Sequence, residues 1–112
     1  MPPQPPALLG EFEQLVLLAV LRLGDGAYGA AITEEIETTG RDVSVSAVHT
    51  TLDRLEQKGL VRSHMGEPTP LRGGKRKRHF EVKPSGVRAL RASYRSIRRL
   101  ARGLESLLED PA

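Results

Sequence analysis

The segment Leu71-Arg72-Gly73-Gly74-Lys75-Arg76-Lys77-Arg78-His79 puts five cations into seven consecutive positions beside two glycines. Cations at that density neutralise a phosphate backbone or enter a narrow minor groove, and the glycines let the chain approach closely. A second set with chemical potential is Ser44, Ser46, His49, Thr50 and Arg54. Small hydroxyls near a helix N-terminus can meet phosphates, where free backbone N–H groups also favour an anion. His49 and Thr50 could reach base edges, and Arg54 a phosphate or a guanine. Asp53 works against this, because a duplex repels a carboxylate unless Arg54 or another cation pairs with it.

Catalytic patterns are missing. His49, His64 and His79 are far apart on different elements, with no partners at the spacing of a triad or a metal set. Gly73-Gly74-Lys75 lacks the spacing of a nucleotide-binding loop, and Arg76 stands where its hydroxyl would be. The chain has no cysteine, which excludes disulfides, thiolate zinc sites and cysteine nucleophiles. The expectation is therefore a binding protein, with no cofactor and no metal.

Charge is unevenly distributed. Arg and Lys fill twelve of the thirty-two positions from Leu71 to Arg102, where Glu81 is the sole acid, whereas the first seventy residues carry five bases and ten acids. Such asymmetry points one end of the molecule at a polyanion, although a solvated helix face explains the later arginines well. At 112 residues the chain has room for one compact domain and an appended helix. The longest apolar run, Leu15 to Leu21, is too short for a membrane span. Met1 to Pro6 lacks the basic start of a signal peptide, so a cytoplasmic protein without a membrane partner is expected.

The elements that would hold these residues follow from periodicity. Residues 1–7 form a proline-rich arm that cannot enter a helix. Leu8, Phe12, Leu15, Val16, Ala19, Val20 and Leu23 predict a first helix over 8–23, which Leu17, Leu18 and Leu21 make apolar on more than one side. Gly24-Asp25-Gly26 ends it. A second helix from Ala27 to about Thr39 turns Tyr28, Ala31, Ile32 and Ile36 inward, with Gly40 as its stop. The third is bounded by Ser44 as N-cap and Gly59 after its end, and Val45, Val48, Leu52 and Leu55 form its core stripe. Alternation predicts strands over 60–65 and 78–83, with Phe80 inward, joined by a loop over 66–77. A last helix starts at Pro84 and runs to about Leu108. Along it Val87, Leu90, Tyr94, Ile97, Ala101, Leu104 and Leu108 alternate by three and four, a seam that a second copy would bury.

Helices followed by a two-stranded hairpin make a mainly α winged helix-turn-helix, here spanning 8–83 with a dimerisation helix over 84–109, and the third helix is the candidate for the major groove. The stretches Phe12-Glu13-Gln14-Leu15-Val16-Leu17-Leu18, Ala27-Tyr28-Gly29, Val48 through Val61, and Gly66-Glu67-Pro68-Thr69-Pro70 with Arg72-Gly73-Gly74 together resemble the PadR-like transcriptional regulators. The likeness is to their short subfamily with one C-terminal helix. It implies a bacterial homodimeric repressor on a palindromic operator of double-stranded DNA, released by a small aromatic ligand at the dimer interface or by another signal. Phe12, Leu15 and the C-terminal seam would then form the interface. Ser46, Ala47, His49 and Thr50 would face DNA, and Tyr28 would seat the second helix or touch the DNA backbone. Two departures stand out. His49 occupies a position where the family commonly has a tyrosine, which implies a pH-sensitive contact or one shifted to a base. Lys83 replaces the usual threonine before Pro84, removing a side-chain cap. The chain also lacks tryptophan for an aromatic sandwich, which leaves Phe12 and Tyr94. The rival functions are a ligand-sensing or protein-docking dimer without specific DNA binding and an RNA-binding module, the latter weakened by the lack of exposed aromatics on the hairpin.

Overall fold

A computed structural model describes residues 8–66 and 76–109. In chain order it contains α1 (Glu11–Leu23), a 3-10 turn (Gly24–Gly26), α2 (Gly29–Glu37), α3 (Val45–Gln57), β1 (Val61–Met65), β2 (Arg78–Val82), α4 (Pro84–Ala101) and α5 (Glu105–Leu108). Among the described residues no helix is long and apolar enough to cross a membrane.

The first helix begins three residues after Leu8, which is exposed. Gly10 holds an extended conformation, and its N–H donates to Glu13 Oε1 at 2.8 Å, so the cap stops the helix from extending backwards. Glu13 is itself buried and takes an ion pair from Lys58 Nζ at 2.7 Å, tying the start of α1 to the end of α3. Burial pushes the Glu13 carboxyl up, but the hydrogen bonds from Lys58 and Gly10 and the charges of Lys58 and Arg54 outweigh it, and the net shift is downward. Its contribution to stability is therefore present above the ordinary carboxylate range and is lost as acid is added through its lowered value.

The second helix also starts later than its apolar pattern suggests. Neither Ala27 nor Tyr28 is helical: Ala27 O accepts the Phe80 N–H at 2.8 Å, and Tyr28, in extended conformation, pairs with His79 as a one-residue bridge. The free edge of β2 captures these two residues, and α2 begins only at Gly29.

In α3 the N-cap is as the sequence indicates, with Ser44 Oγ accepting the Ala47 N–H at 3.0 Å. Gly59 follows at φ +77, a left-handed conformation that suits glycine. The core stripe differs by one residue. Val45 is 45% exposed, because the first turn projects past the core, and Thr51, at 6%, faces inward with Val48, Leu52 and Leu55. The hairpin pairs Val61 with Val82, Ser63 with Phe80 and His64 with His79 in antiparallel register. The Lys83 N–H still donates to Leu60 O at 2.9 Å, so the pairing reaches the expected ends although both strands are one residue shorter.

α4 begins at Pro84 without a side-chain cap from Lys83, and Ser85 Oγ anchors this start by donating to Gly59 O at 2.6 Å. Two expectations for this helix are corrected. Leu90, 8% exposed, belongs with Ala89 to the core of the single chain rather than to a free seam. The helix also does not continue to Leu108. Arg102 leaves helical geometry, Gly103 turns at φ +86, and Leu104 and Leu108 fall on or beside the separate short α5. A glycine that adopts a left-handed conformation ends a helix even where the leucine spacing carries on.

The core gathers Val16, Leu17, Ile32, Val48, Leu52, Leu55, Val61 and Phe80. At its edge Gly86 lies so close to the hairpin root that a Cβ there would overlap the Leu60 carbonyl oxygen and press on Val82 Cγ1. Gly86→Ala should destabilise the protein by about 1–3 kcal/mol. Gly26→Ala, with open space around the position, should stay within about 0.5 kcal/mol of the parent. Urea unfolding of the two variants checks the contrast.

Candidate nucleic-acid interface

α3 places Ser44, Ser46, Ala47, Thr50 and Arg54 on its exposed side. Ser44 Oγ accepts from the Ala47 amide, which leaves the serine O–H to donate outward. Thr50 Oγ1 donates to Ser46 O at 3.0 Å, so its lone pairs remain available to a donor. Among the described residues Arg54 has no carboxylate within ion-pair distance.

His49 is placed differently from these neighbours. It is half-buried, its imidazole rests on Gly29, and its ring meets Phe80 edge-on with centroids 6.4 Å apart. Gly29 carries no Cβ, and that is what lets the imidazole close against the start of α2. Tyr28 is also half-buried. It stands edge-on to His79 at 5.8 Å, and Lys77 Nζ lies 4.0 Å from its ring centroid. Its backbone carbonyl accepts the first hydrogen bond of α2, from Ile32 at 2.9 Å. His79 in turn stacks on His64 at 5.5 Å.

The basic segment divides in two. Arg72 and Lys75 lie outside the described residues. Arg76 and Lys77 are exposed, and the base of the loop is fastened by Arg76 Nε on Gly66 O at 2.9 Å and the Gly66 N–H on Lys77 O at 2.7 Å. Arg78 has a different environment from its neighbours. Its guanidinium reaches Glu56 at 2.5 Å and Asp53 at 3.4 Å, both on α3, and lies 4.9 Å from the Phe80 ring centroid. Glu56 also accepts from Ser63 Oγ at 2.9 Å. A residue that reads in sequence as one more backbone cation thus braces the wing against α3. The repelling charge of Asp53 was the one sequence signal that some cation must come to it; the partner lies twenty-five residues away.

The expected dimer residues are scattered in burial. Leu90 is in the core, Phe12, Leu15, Val87 and Ala101 are half-buried, and Tyr94, Ile97, Leu104 and Leu108 are exposed. Leu18, Leu21, Leu100 and Leu107 are further exposed apolar side chains. Among the described residues no group of three or more His, Asp or Glu is arranged to hold a metal ion.

The sequence matches the model of the Transcriptional regulator PadR-like family over residues 17–92. None of the curated proteins matches it. The fold is similar to that of a PadR family transcriptional regulator from Eggerthella lenta DSM 2243, at 26% identity and TM-score 0.65, covering 89% of this chain and 88% of that one. It is also similar to a PadR family transcription regulator from Clostridium difficile R20291, at 18% identity and TM-score 0.68, with 87% and 98% covered. A PadR-like transcriptional regulator from Bacillus cereus strain ATCC 14579 superposes at TM-score 0.70 and 17% identity, with 87% and 90% covered.

The brace makes a measurable demand. A double-mutant cycle of Arg78→Met and Glu56→Gln, followed by urea unfolding, should give a coupling of about 0.5–1 kcal/mol, reduced from the buried-pair range by partial exposure. Strictly additive effects would show that the two side chains do not hold each other.

Proposed function

We propose that this chain, which belongs to the PadR-like family of transcriptional regulators, represses transcription as a homodimer on a two-fold operator. Each copy sets α3 into the major groove, with Ser46, Thr50 and Arg54 towards the bases and phosphates and Ser44 and Ala47 at the helix start against the backbone. Arg76 and Lys77, with Arg72 and Lys75, follow the phosphates beside it. The observation that carries this reading is the outward face of α3, where the helix's two carboxylates, Asp53 and Glu56, are both engaged by Arg78. Arg78 offsets one of those two charges and Arg54, on the same helix and without a carboxylate partner among the described residues, offsets the other, so the face carries no net negative charge to repel DNA. His49, packed on Gly29 and Phe80, acts by holding α3 against α2 and the wing, and Tyr28 does the same from the other side.

The exposed apolar side of α4 supports pairing of two copies. Tyr94 and Ile97 lie in solvent at 56% and 58% exposure, which a partner helix would remedy. The two α3 helices would then meet the duplex about 34 Å apart, one helical turn. A flat aromatic ligand held near Phe12 and Tyr94 would release DNA by altering that pairing.

Selection of bound fragments from a genomic pool should yield a pseudo-palindrome that binds at least about a hundredfold more tightly than random duplex at moderate salt. Equal affinity for both would defeat the specific-regulator reading. Separately, Ile97→Asp combined with Leu100→Asp should sediment as monomer and lose most operator affinity. A dimer that survives both substitutions would place the interface elsewhere.

A further inference from the structure

α4 carries a feature that the operator reading does not use. Arg88, Arg91, Arg95, Arg98 and Arg102 recur at steps of three and four, so they share one stripe, and Arg99 lies beside it. All six are exposed. No Asp or Glu occurs from residue 82 to residue 104. Among the described residues Arg22, Arg41, Lys58, Arg62 and Arg78 each meet a carboxylate, whereas none of these six arginines does.

Such a helix works against itself. Like charges three and four residues apart oppose helix formation, and the sequence contains six such pairs along this stretch. The helix dipole favours Arg98 and Arg99 in the last turn but gives nothing to Arg88 and Arg91 in the first half. An anion from outside the chain would relieve this self-repulsion.

We infer that the arginine stripe of α4 binds the phosphate backbone of a second stretch of duplex DNA, without reading its sequence and independently of α3 and the wing. The helical part of the stripe, from Arg88 to Arg98, is about 15 Å long at 1.5 Å per residue, matching about four phosphates along one strand, and Arg102 follows at the helix end. All its cations are arginine, whose planar fork grips phosphate oxygens in pairs. Arg91, Arg95, Arg98 and Arg102, with Arg99, line an open groove of about 580 Å³ with Tyr94 on its wall. The apolar row of Val87, Tyr94, Ile97 and Ala101 is centred about 100° away around the helix, so pairing through that row would cover the Tyr94 wall of the groove and leave Arg88, Arg95 and Arg102, on its far side, open. A regulator built this way holds its operator on one element and a neighbouring segment of DNA on another.

The test compares the parent with Arg91→Gln/Arg95→Gln/Arg98→Gln and with the same three positions changed to Lys. Binding of a random-sequence duplex is titrated against salt, with circular dichroism and sedimentation as controls. The Gln variant should bind more weakly, with a slope of log affinity against log salt shallower by about 2–3, near 0.9 for each lost contact. The Lys variant should keep the parent slope. Parent protein saturated with its selected operator should also capture a labelled random duplex at low salt, and the Gln variant should not. An unchanged slope overturns the assignment, as does failure of the saturated parent to take a second duplex. Loss of copy–copy association in the Gln variant with the slope intact would make the stripe an interface between copies, and binding to phosphatidylserine vesicles with no second duplex would make it a membrane contact; either overturns the inference. The random-duplex slope is measured without any operator, so failure of the operator reading leaves this test intact.

Discussion

The arrangement of helices and wing depends on Phe80. Its ring is 2% exposed, which stabilises the fold by about 1.5–3 kcal/mol relative to leaving it in water. Its backbone N–H is held by Ala27 O, its ring carries the Arg78 guanidinium, and its edge meets His49. One residue therefore fixes the hairpin against the start of α2 and against α3 together. The one-residue bridge between Tyr28 and His79 follows from that attachment, as does the late start of α2.

A second constraint is electrostatic. Six acids are paired with cations among the described residues: Glu13 with Lys58, Glu35 with Arg22, Glu11 with Arg41, Glu81 with Arg62, and Asp53 and Glu56 with Arg78. The Arg62–Glu81 pair joins the two strands across the hairpin and shifts both groups towards their charged forms through the hydrogen bond they share. Cations left over are concentrated on the outer face of α3, at the base of the wing and along α4. The basic character of the molecule is thus expressed on particular faces although its formal net charge is only +3.

Features set by near neighbours were legible in the sequence. Ser44 and Gly59 bound α3 through contacts within a turn, Pro84 starts α4 where its ring geometry fits, and Phe80 turns inward by simple alternation. Features set by distant partners were not. Ala27 and Tyr28 stay out of the helix because β2, some fifty residues on, offers a free edge. Arg78 looked like its neighbours in the basic segment, and its partners lie twenty-two and twenty-five residues back. Val45 fits the helical stripe, yet the first turn of α3 overhangs the core, and no periodicity reports where a neighbouring helix ends. At Gly103 two local signals conflicted: the leucine spacing ran on towards Leu108, but the glycine took a left-handed turn and ended the helix.

The brace between Arg78 and the two acids of α3 has a kinetic consequence. A duplex drifting towards this face by diffusion meets carboxylates already occupied and cations that are not. With Arg78 and Arg54 balancing the two acids of α3, the cations at the base of the wing set the sign of the attraction during the encounter, before any base is touched. Complexes steered in this way form faster than random collision allows, and their capture rate falls as counter-ions thicken around both partners. Arg78 would thus help to govern how quickly DNA is found.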